Sequence, residues 1–233
     1  MAGHTSSEIL EIVARNQILN ELDRHELGEL CALGQVERYA KGGIIFDKGD
    51  PGDRLYAVLS GQVGINSISA DGKELILNIM DPSEIFGEVA VLDGGERTAG
   101  AVAMQVTELL RIRRSEFLSF LERHPKLAIR LLFVLCDRLR RATDIIEDTV
   151  FLDIPRRLAK RLLSLMERHG EPCVEGIRIT IKLSQEDLGH MLGATRESVN
   201  KGIRALQRFG AISYDGGHLI VRNVEQLEDL IDQ

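Results

Sequence analysis

The chain has 233 residues, 44% hydrophobic and 28% charged, with 29 Lys+Arg against 36 Asp+Glu for a formal net charge of −7. That composition fits a globular protein long enough for two modest domains, and no apolar run approaches the roughly 20 residues of a membrane helix. Cys31, Cys136 and Cys173 are odd in number and far apart, which argues against a disulfide framework or a closely spaced zinc or iron–sulfur site and for a reducing cytoplasm.

The N-terminal stretch "MAGHTSSEILEIVARN" has no basic start followed by an apolar block, so it is not expected to be a secretory signal. From Ser7 to about Val36 the spacing of Ile9, Ile12 and Val13, then of Leu27, Leu30 and Leu33, predicts helix. From about Glu37 to Arg113 the texture changes. Short β-prone runs ("GIIFDKG", "RLYAVLSGQVGIN", "ELILNIM", "TELLRIRR") are separated by turn signals, among them "GDPGD" at Gly49–Asp53 and "ADGKE" at Ala70–Glu74. Close, regular turns predict an antiparallel sandwich or barrel and speak against a βαβ arrangement.

Pro125 suits the first turn of a long helix that no Gly or Pro interrupts as far as about Thr149. Leu132, Leu135, Leu139, Ala142, Ile146 and Thr149 step by 3, 4, 3, 4, 3, while Arg138, Arg140, Arg141, Asp144, Glu147 and Asp148 occupy the other faces. Such a seam can pack on its own domain; its length and strict heptad step predict a homodimer.

After "FLDIPRR" a helix is expected up to Gly170, and "VEGIRITIKL" reads as a strand. Ser184 caps the next helix with Asp187 in capping-box spacing; Leu188, Met191 and Leu192 are its apolar positions and Gly193 ends it. Thr195 caps a further helix with Val199, Ile203 and Leu206 inward, and "AISYDGGHLIV" reads as a hairpin turning at Asp215-Gly216-Gly217. Helix, short turn, helix and hairpin make a winged helix-turn-helix, whose second helix offers its N-terminal end to the major groove.

Charge supports that reading. Residues 150–233 carry twelve Lys+Arg and twelve Asp+Glu, so the acidic excess belongs to the first 149 residues. The second helix holds Arg196, Lys201 and Arg204, with Arg208 next, against the single acid Glu197. Arg196, Glu197, Asn200 and Lys201 are expected on the solvent side. Arginine suits the two acceptors of guanine, glutamate the amino group of cytosine, and lysine guanine or phosphate. Thr195 and Ser184 can donate to phosphate from helix N-termini.

At this point the chain resembles a known family. "LSQEDLGHMLGATRESVNKGIRALQRFGAI" is similar to the DNA-binding region of the catabolite activator / fumarate–nitrate-reduction regulator family, "FGEVAVLDGGERTAGAVA" to its phosphate-binding cassette and "VFLDIPRRL" to its interdomain hinge. The resemblance implies an α+β protein in three parts. These are an N-terminal antiparallel β-roll or jelly-roll cyclic-nucleotide-binding domain (1–124), a long dimerisation helix (125–150) and a C-terminal winged helix-turn-helix (151–233). It also implies a homodimer on a palindromic, TGTGA-like double-stranded operator, with RNA polymerase as a further partner. Arg196, Glu197 and Lys201 match the family's base-reading positions. In the cassette, Gly87 allows close backbone approach, Glu88 accepts from a ribose hydroxyl, Arg97 offers its fork to a phosphate, and Thr98 adds a hydroxyl and an N–H. Arg138 matches a helix position near the ligand.

Three departures stand out. Glu88 and Arg97 are nine residues apart, one fewer than in the bacterial activator and more like eukaryotic kinase and channel domains. Ala142 stands where the activator meets adenine from the same subunit, while Thr143, the position reaching across the dimer, keeps its hydroxyl. Thr98 directly after Arg97 is shared with several cGMP-binding domains. The expected effector is therefore cAMP or cGMP, with no prosthetic group or metal. Alternatives are a regulator of the same fold with another effector or none, and a nucleotide-binding regulatory subunit acting on a protein. Between His25 and His124 no histidine is available to ligate haem in the β-roll, and no triad, metal cluster or Walker loop suggests an enzyme.

Overall fold

The computed structural model of the chain describes residues 4–69 and 72–232. Ala70 and Asp71 of the "ADGKE" turn lie outside the described residues. Two compact units share the chain. One is built on residues up to Ile68 together with Leu77–Leu139, the other on Ser69–Ile76 and the residues from Arg140 onward.

The first unit opens with α1 (Ser6–Val13) and α2 (Arg24–Ala32), separated by a short 3-10 turn at Leu19–Glu21. The single helical stretch expected from Ser7 to Val36 is thus broken. Thr5 and Asp23 each form a capping box, with Glu8 and Glu26, and so start two separate helices. Eight strands follow: β1 (Gln35–Tyr39), β2 (Ile44–Phe46), β3 (Arg54–Ser60), β4 (Val63–Ile68), β5 (Glu74–Met80), β6 (Ile85–Phe86), β7 (Gly100–Ala103) and β8 (Thr107–Arg113). They form two four-stranded sheets in the orders β1-β8-β3-β6 and β2-β7-β4-β5. The registered pairs are antiparallel, as the close turn spacing requires. Between the sheets lie Phe46, Tyr56, Val58, Val63, Met80, Phe86, Ala101 and Leu109.

Two helices interrupt or follow the strands without having been expected: α3 (Glu88–Asp93), inside the cassette, and α4 (Arg114–Arg123). Phe117 and Phe120 of α4 join Ile9, Leu27 and Leu30 of the N-terminal helices, and Leu127 and Leu131 of the next helix, in a second core against the first sheet. That next helix, α5, runs Pro125–Phe151, 27 residues or about 40 Å. Beyond Leu131 its apolar side chains are largely exposed: Leu132 60%, Leu139 69%, Ile146 64% and Val150 68%.

In the second unit, Asp153 caps α6 (Ile154–His169), accepting from the Arg156 N–H, and Pro155 occupies its first turn. Instead of one strand, residues 170–179 form a hairpin, β9 (Gly170–Cys173) and β10 (Gly176–Ile179). Then come α7 (Gln185–Leu192), α8 (Arg196–Arg208), β11 (Ile212–Asp215), β12 (His218–Val221) and α9 (Val224–Asp232). The strands order as β11-β12-β10-β9. Leu158, Leu162, Ile179, Leu188, Val199, Ile203, Leu206, Leu219 and Leu227 are each at most 1% exposed and form the core of this unit. Among the described residues no helix is long and apolar enough to cross a membrane.

Candidate effector cleft and nucleic-acid interface

Gly87 sits at φ 81°, ψ 8°, a left-handed conformation that lets the chain turn from β6 directly into α3. The turn brings its carbonyl to Arg97, whose Nη1 donates to it at 2.9 Å. A Cβ on residue 87 would lie 2.7 Å from the same nitrogen. Gly87→Ala is therefore expected to displace the guanidinium and to lower stability by about 1–2 kcal/mol through the left-handed backbone; differential scanning calorimetry measures the loss.

Arg97 is 4% exposed. Its Nη2 donates to the Arg54 carbonyl at 2.7 Å, and its guanidinium carbon lies 4.2 Å from the centre of the Phe46 ring. Its Nε is buried without a hydrogen-bond partner. Burial is the main influence on this group and pulls its pKa below the usual arginine value; the guanidinium remains charged. Glu88, first residue of α3, is 1% exposed. One carboxylate oxygen accepts from Arg138 Nη1, and the other is buried with no partner. Arg138 is fixed further by donating to the Ile85 carbonyl at 2.8 Å.

These groups line one open cleft. Gly87, Glu88, Arg97, Thr98 and Arg138, all singled out from sequence, are brought together here with Phe46, Ile65 and Phe86, which were not. Thr98 is exposed at the rim. Thr143 is also exposed, on α5, and is not among the described residues that line the cleft. Chemically, the cleft joins an apolar wall to a fixed cation and a fixed anion, each with hydrogen-bonding capacity left unused.

The other candidate surface lies on α8. Val199, Ile203 and Leu206 are buried as their spacing required, and Arg196, Glu197, Lys201, Arg204 and Arg208 are exposed; Asn200 is half-buried. Gly193, at φ 58°, ψ 38°, ends α7 in the left-handed region and allows the short turn to Thr195. Thr195 caps α8 by accepting from the Ser198 N–H, and its hydroxyl also bonds that of Ser198. The Ser184 hydroxyl is committed to its own helix: it accepts from the Asp187 N–H and donates to the Asp187 carboxylate at 2.6 Å. The hydroxyl hydrogen is engaged by that carboxylate, so the phosphate donation expected of it would require giving up this one bond, while the two backbone bonds of the capping box could remain. Lys201 Nζ lies 2.8 Å from Glu197 Oε1, and this hydrogen bond holds the carboxyl below its usual pKa. Beyond the helix, Gly216 and Gly217 form the turn of the β11–β12 hairpin, both at positive φ.

Comparison with known proteins agrees with this geometry. Residues 36–124 match the cyclic nucleotide-binding domain family and residues 156–230 the Crp-like helix-turn-helix domain family. The chain is 35% identical over 217 residues to the CRP-like cAMP-activated global transcriptional regulator of Mycobacterium tuberculosis, covering 93% of this chain and 97% of that one. It is 34% identical to the cyclic AMP receptor protein of Thermus thermophilus, over 85% of this chain and 90% of that one. A solved structure of a CooA variant from Carboxydothermus hydrogenoformans superposes with a TM-score of 0.78 at 22% identity, over 95% of this chain and 98% of that one, which speaks for the fold alone. With both domain matches in order and a relative that spans nearly its whole length, the chain belongs to the catabolite activator / fumarate–nitrate-reduction regulator (CRP/FNR) family of DNA-binding transcription regulators, and not to an enzyme family.

Proposed function

We propose that this protein is a homodimeric regulator whose binding to a palindromic operator is controlled by a cyclic nucleotide, cAMP or cGMP, held in the β-roll cleft. One observation carries the reading. Arg97 and Glu88 line the same cleft, each almost fully buried, and each keeps one polar atom unpartnered. An unsatisfied buried donor and an unsatisfied buried acceptor each cost stability unless a partner completes them. A cyclic phosphate beside a ribose hydroxyl supplies an acceptor and a donor on adjacent atoms, and the apolar wall of Ile65 and Phe86 accommodates the nucleoside. The cAMP-activated relatives support the same ligand class.

Arg138 gives the route out of the cleft. A ribose hydroxyl donating to the free Glu88 oxygen shares the carboxylate charge that now ties Glu88, through its other oxygen, to Arg138 on α5. Ligand binding thereby changes the hold on the helix whose exposed apolar seam we assign to the homodimer, with Thr143 as the residue facing the second copy's ligand. The ligand shifts the DNA-competent population by its differential affinity for the two states. On the DNA side, Arg196, Glu197, Asn200 and Lys201 read bases, and Thr195 with the start of α8 meets phosphate. RNA polymerase is the partner that a regulator of this kind addresses next.

The test is titration calorimetry of the full chain with cAMP and with cGMP, alongside operator binding with and without each. Operator affinity indifferent to both nucleotides would reject the effector reading and leave the DNA-binding reading standing. Arg196→Ala is expected to weaken operator binding by about 1–3 kcal/mol and relax one base position, whereas Arg204→Ala lowers affinity on all sequences alike and reduces the salt slope by about one. Equal loss on operator and random duplex for Arg196→Ala would show that it meets only phosphate.

A further inference from the structure

Phe46 lines the cleft against Arg97 rather than against a group the ligand chemistry already requires. The ring is 9% exposed and belongs to an aromatic layer with Tyr56 and Phe86, at centroid distances of 5.8 and 6.0 Å. It stands at the end of β2 just past an irregularity: Ile44 pairs with Val102 but Phe46 with Ala101, so two steps on β2 match one on β7. A bulge of this kind re-aims the side chain that follows it. Here it delivers the ring beneath the Arg97 guanidinium, whose carbon is 4.2 Å from the Phe46 centroid and 5.8 Å from that of Tyr56.

The hydrogen bonds that hold Arg97 go to uncharged groups, while the carboxylates of Asp53 and Asp50 favour its charge without a salt bridge to it. Its two side-chain acceptors are main-chain carbonyls. Its backbone is clipped to the 47–53 loop by Arg97 N–H to the Asp50 carbonyl at 2.8 Å and Gly49 N–H to the Arg97 carbonyl at 2.9 Å. No carboxylate forms an ion pair with Arg97 among the described residues. A carboxylate in that place would neutralise the cation and compete with an anionic ligand. An aromatic face does neither. Its quadrupole stabilises the desolvated charge while leaving the N–H edge free to donate.

Building on the cyclic-nucleotide reading of this cleft, we infer that Phe46 is a positioning residue for ligand binding: its ring acts as the counter-surface that holds Arg97 charged, planar and unneutralised for the phosphate. Since Phe46 acts through Arg97 on the part of the ligand that cAMP and cGMP share, its removal lowers both affinities equally. Calorimetry of the full chain is expected to show Phe46→Leu weakening cAMP and cGMP binding about tenfold each, and Phe46→Tyr, which keeps a ring, staying within about threefold of the parent protein. Unequal loss for the two nucleotides would overturn the inference, because the ring would then be contacting the base. So would parental affinity in Phe46→Leu.

A second readout needs no ligand. In 15N NMR of the full chain, the Arg97 Nε–H resonance, assigned as the one missing in Arg97→Lys, is expected to be ring-shifted upfield in the parent and in Phe46→Tyr. It loses that shift and exchanges faster with water in Phe46→Leu. An unshifted resonance in the parent protein overturns the inference even if Phe46→Leu fails to fold. If the parent binds neither nucleotide, the effector reading fails by itself, and the resonance still decides whether Phe46 holds Arg97.

Discussion

Replacement of Arg97 by leucine is expected to weaken cyclic-nucleotide binding at least about a hundredfold and to leave operator binding blind to the ligand. The group removed is a buried cation held by two carbonyls and a ring, with unused N–H capacity beside the cleft. Charge-assisted hydrogen bonds are worth about 1.5–3 kcal/mol each, so loss of a two-pronged phosphate contact costs about 3 kcal/mol or more, and each 1.4 kcal/mol is tenfold. Stability moves in both directions at once. The Gly87 and Arg54 carbonyls lose a donor, which destabilises, while a desolvated charge disappears from the roll, which stabilises. The variant should therefore fold, and a thermal melt establishes this before any titration. Arg97→Lys separates charge from shape: it retains the cation but not the fork, and about a tenfold loss is expected. Calorimetry with cAMP and cGMP reads all three proteins. Affinity within threefold of the parent in folded Arg97→Leu would show that no phosphate binds at this residue.

The parts of this site differ in how far the sequence exposes them. Val199, Ile203 and Leu206 at helical spacing place the opposite face of α8 in solvent, so the exposure of Arg196, Glu197 and Lys201 follows from periodicity, while their match to base-reading positions comes from the resemblance. Gly87, Glu88 and Arg97 fall within one short stretch, but it is the resemblance of that stretch to a phosphate-binding cassette, not its spacing, that singles them out. Arg138 lies 50 residues from Glu88, and nothing in local spacing announces that they meet. Phe46 ends a run of apolar residues that reads as ordinary core strand; its place under Arg97 depends on a bulge, which no periodicity encodes. Within the fold, α4 follows β8 without a break, so its start at Arg114 was hidden by the strand before it, and α9 is too short for its Leu227 anchor to stand out. The hairpin at β9 was obscured by Pro172, tolerated there because β9 is an edge strand.

The seam of α5 shows the same ambiguity in a form that can be tested. A straight helix of 3.6 residues per turn does not keep a 3.5-residue repeat in register, so neighbouring series compete for the same face. The series through Leu135, Ala142 and Thr149 and the series through Ile129, Cys136, Thr143 and Val150 share Leu132, Leu139 and Ile146. Exposure favours the second at one position: Leu135 is half-buried while Ala142 and Thr149 are exposed, whereas Ile129, at 55%, Cys136, Thr143 and Val150 are all exposed with the three shared residues. Such a row of large apolar side chains on one helix face is the mark of a surface made to be covered. If two copies of α5 cover each other there, Leu139→Glu removes a buried leucine from each and sets two carboxylates against one another. Burial of each leucine is worth about 2 kcal/mol, and the charges add to the loss, so the dimer should weaken at least about a thousandfold. Operator binding should fall with it, because two recognition helices spaced for half-sites one helical turn apart, about 34 Å, act together only when joined. Asp144→Lys, an equally drastic charge change off the seam, should leave the dimer intact. Sedimentation velocity with and without operator measures both variants. A Leu139→Glu protein that stays dimeric and binds operator like its parent would place the subunit interface elsewhere, and with it the assignment of α5 as the element through which Arg138 reports the ligand to the DNA.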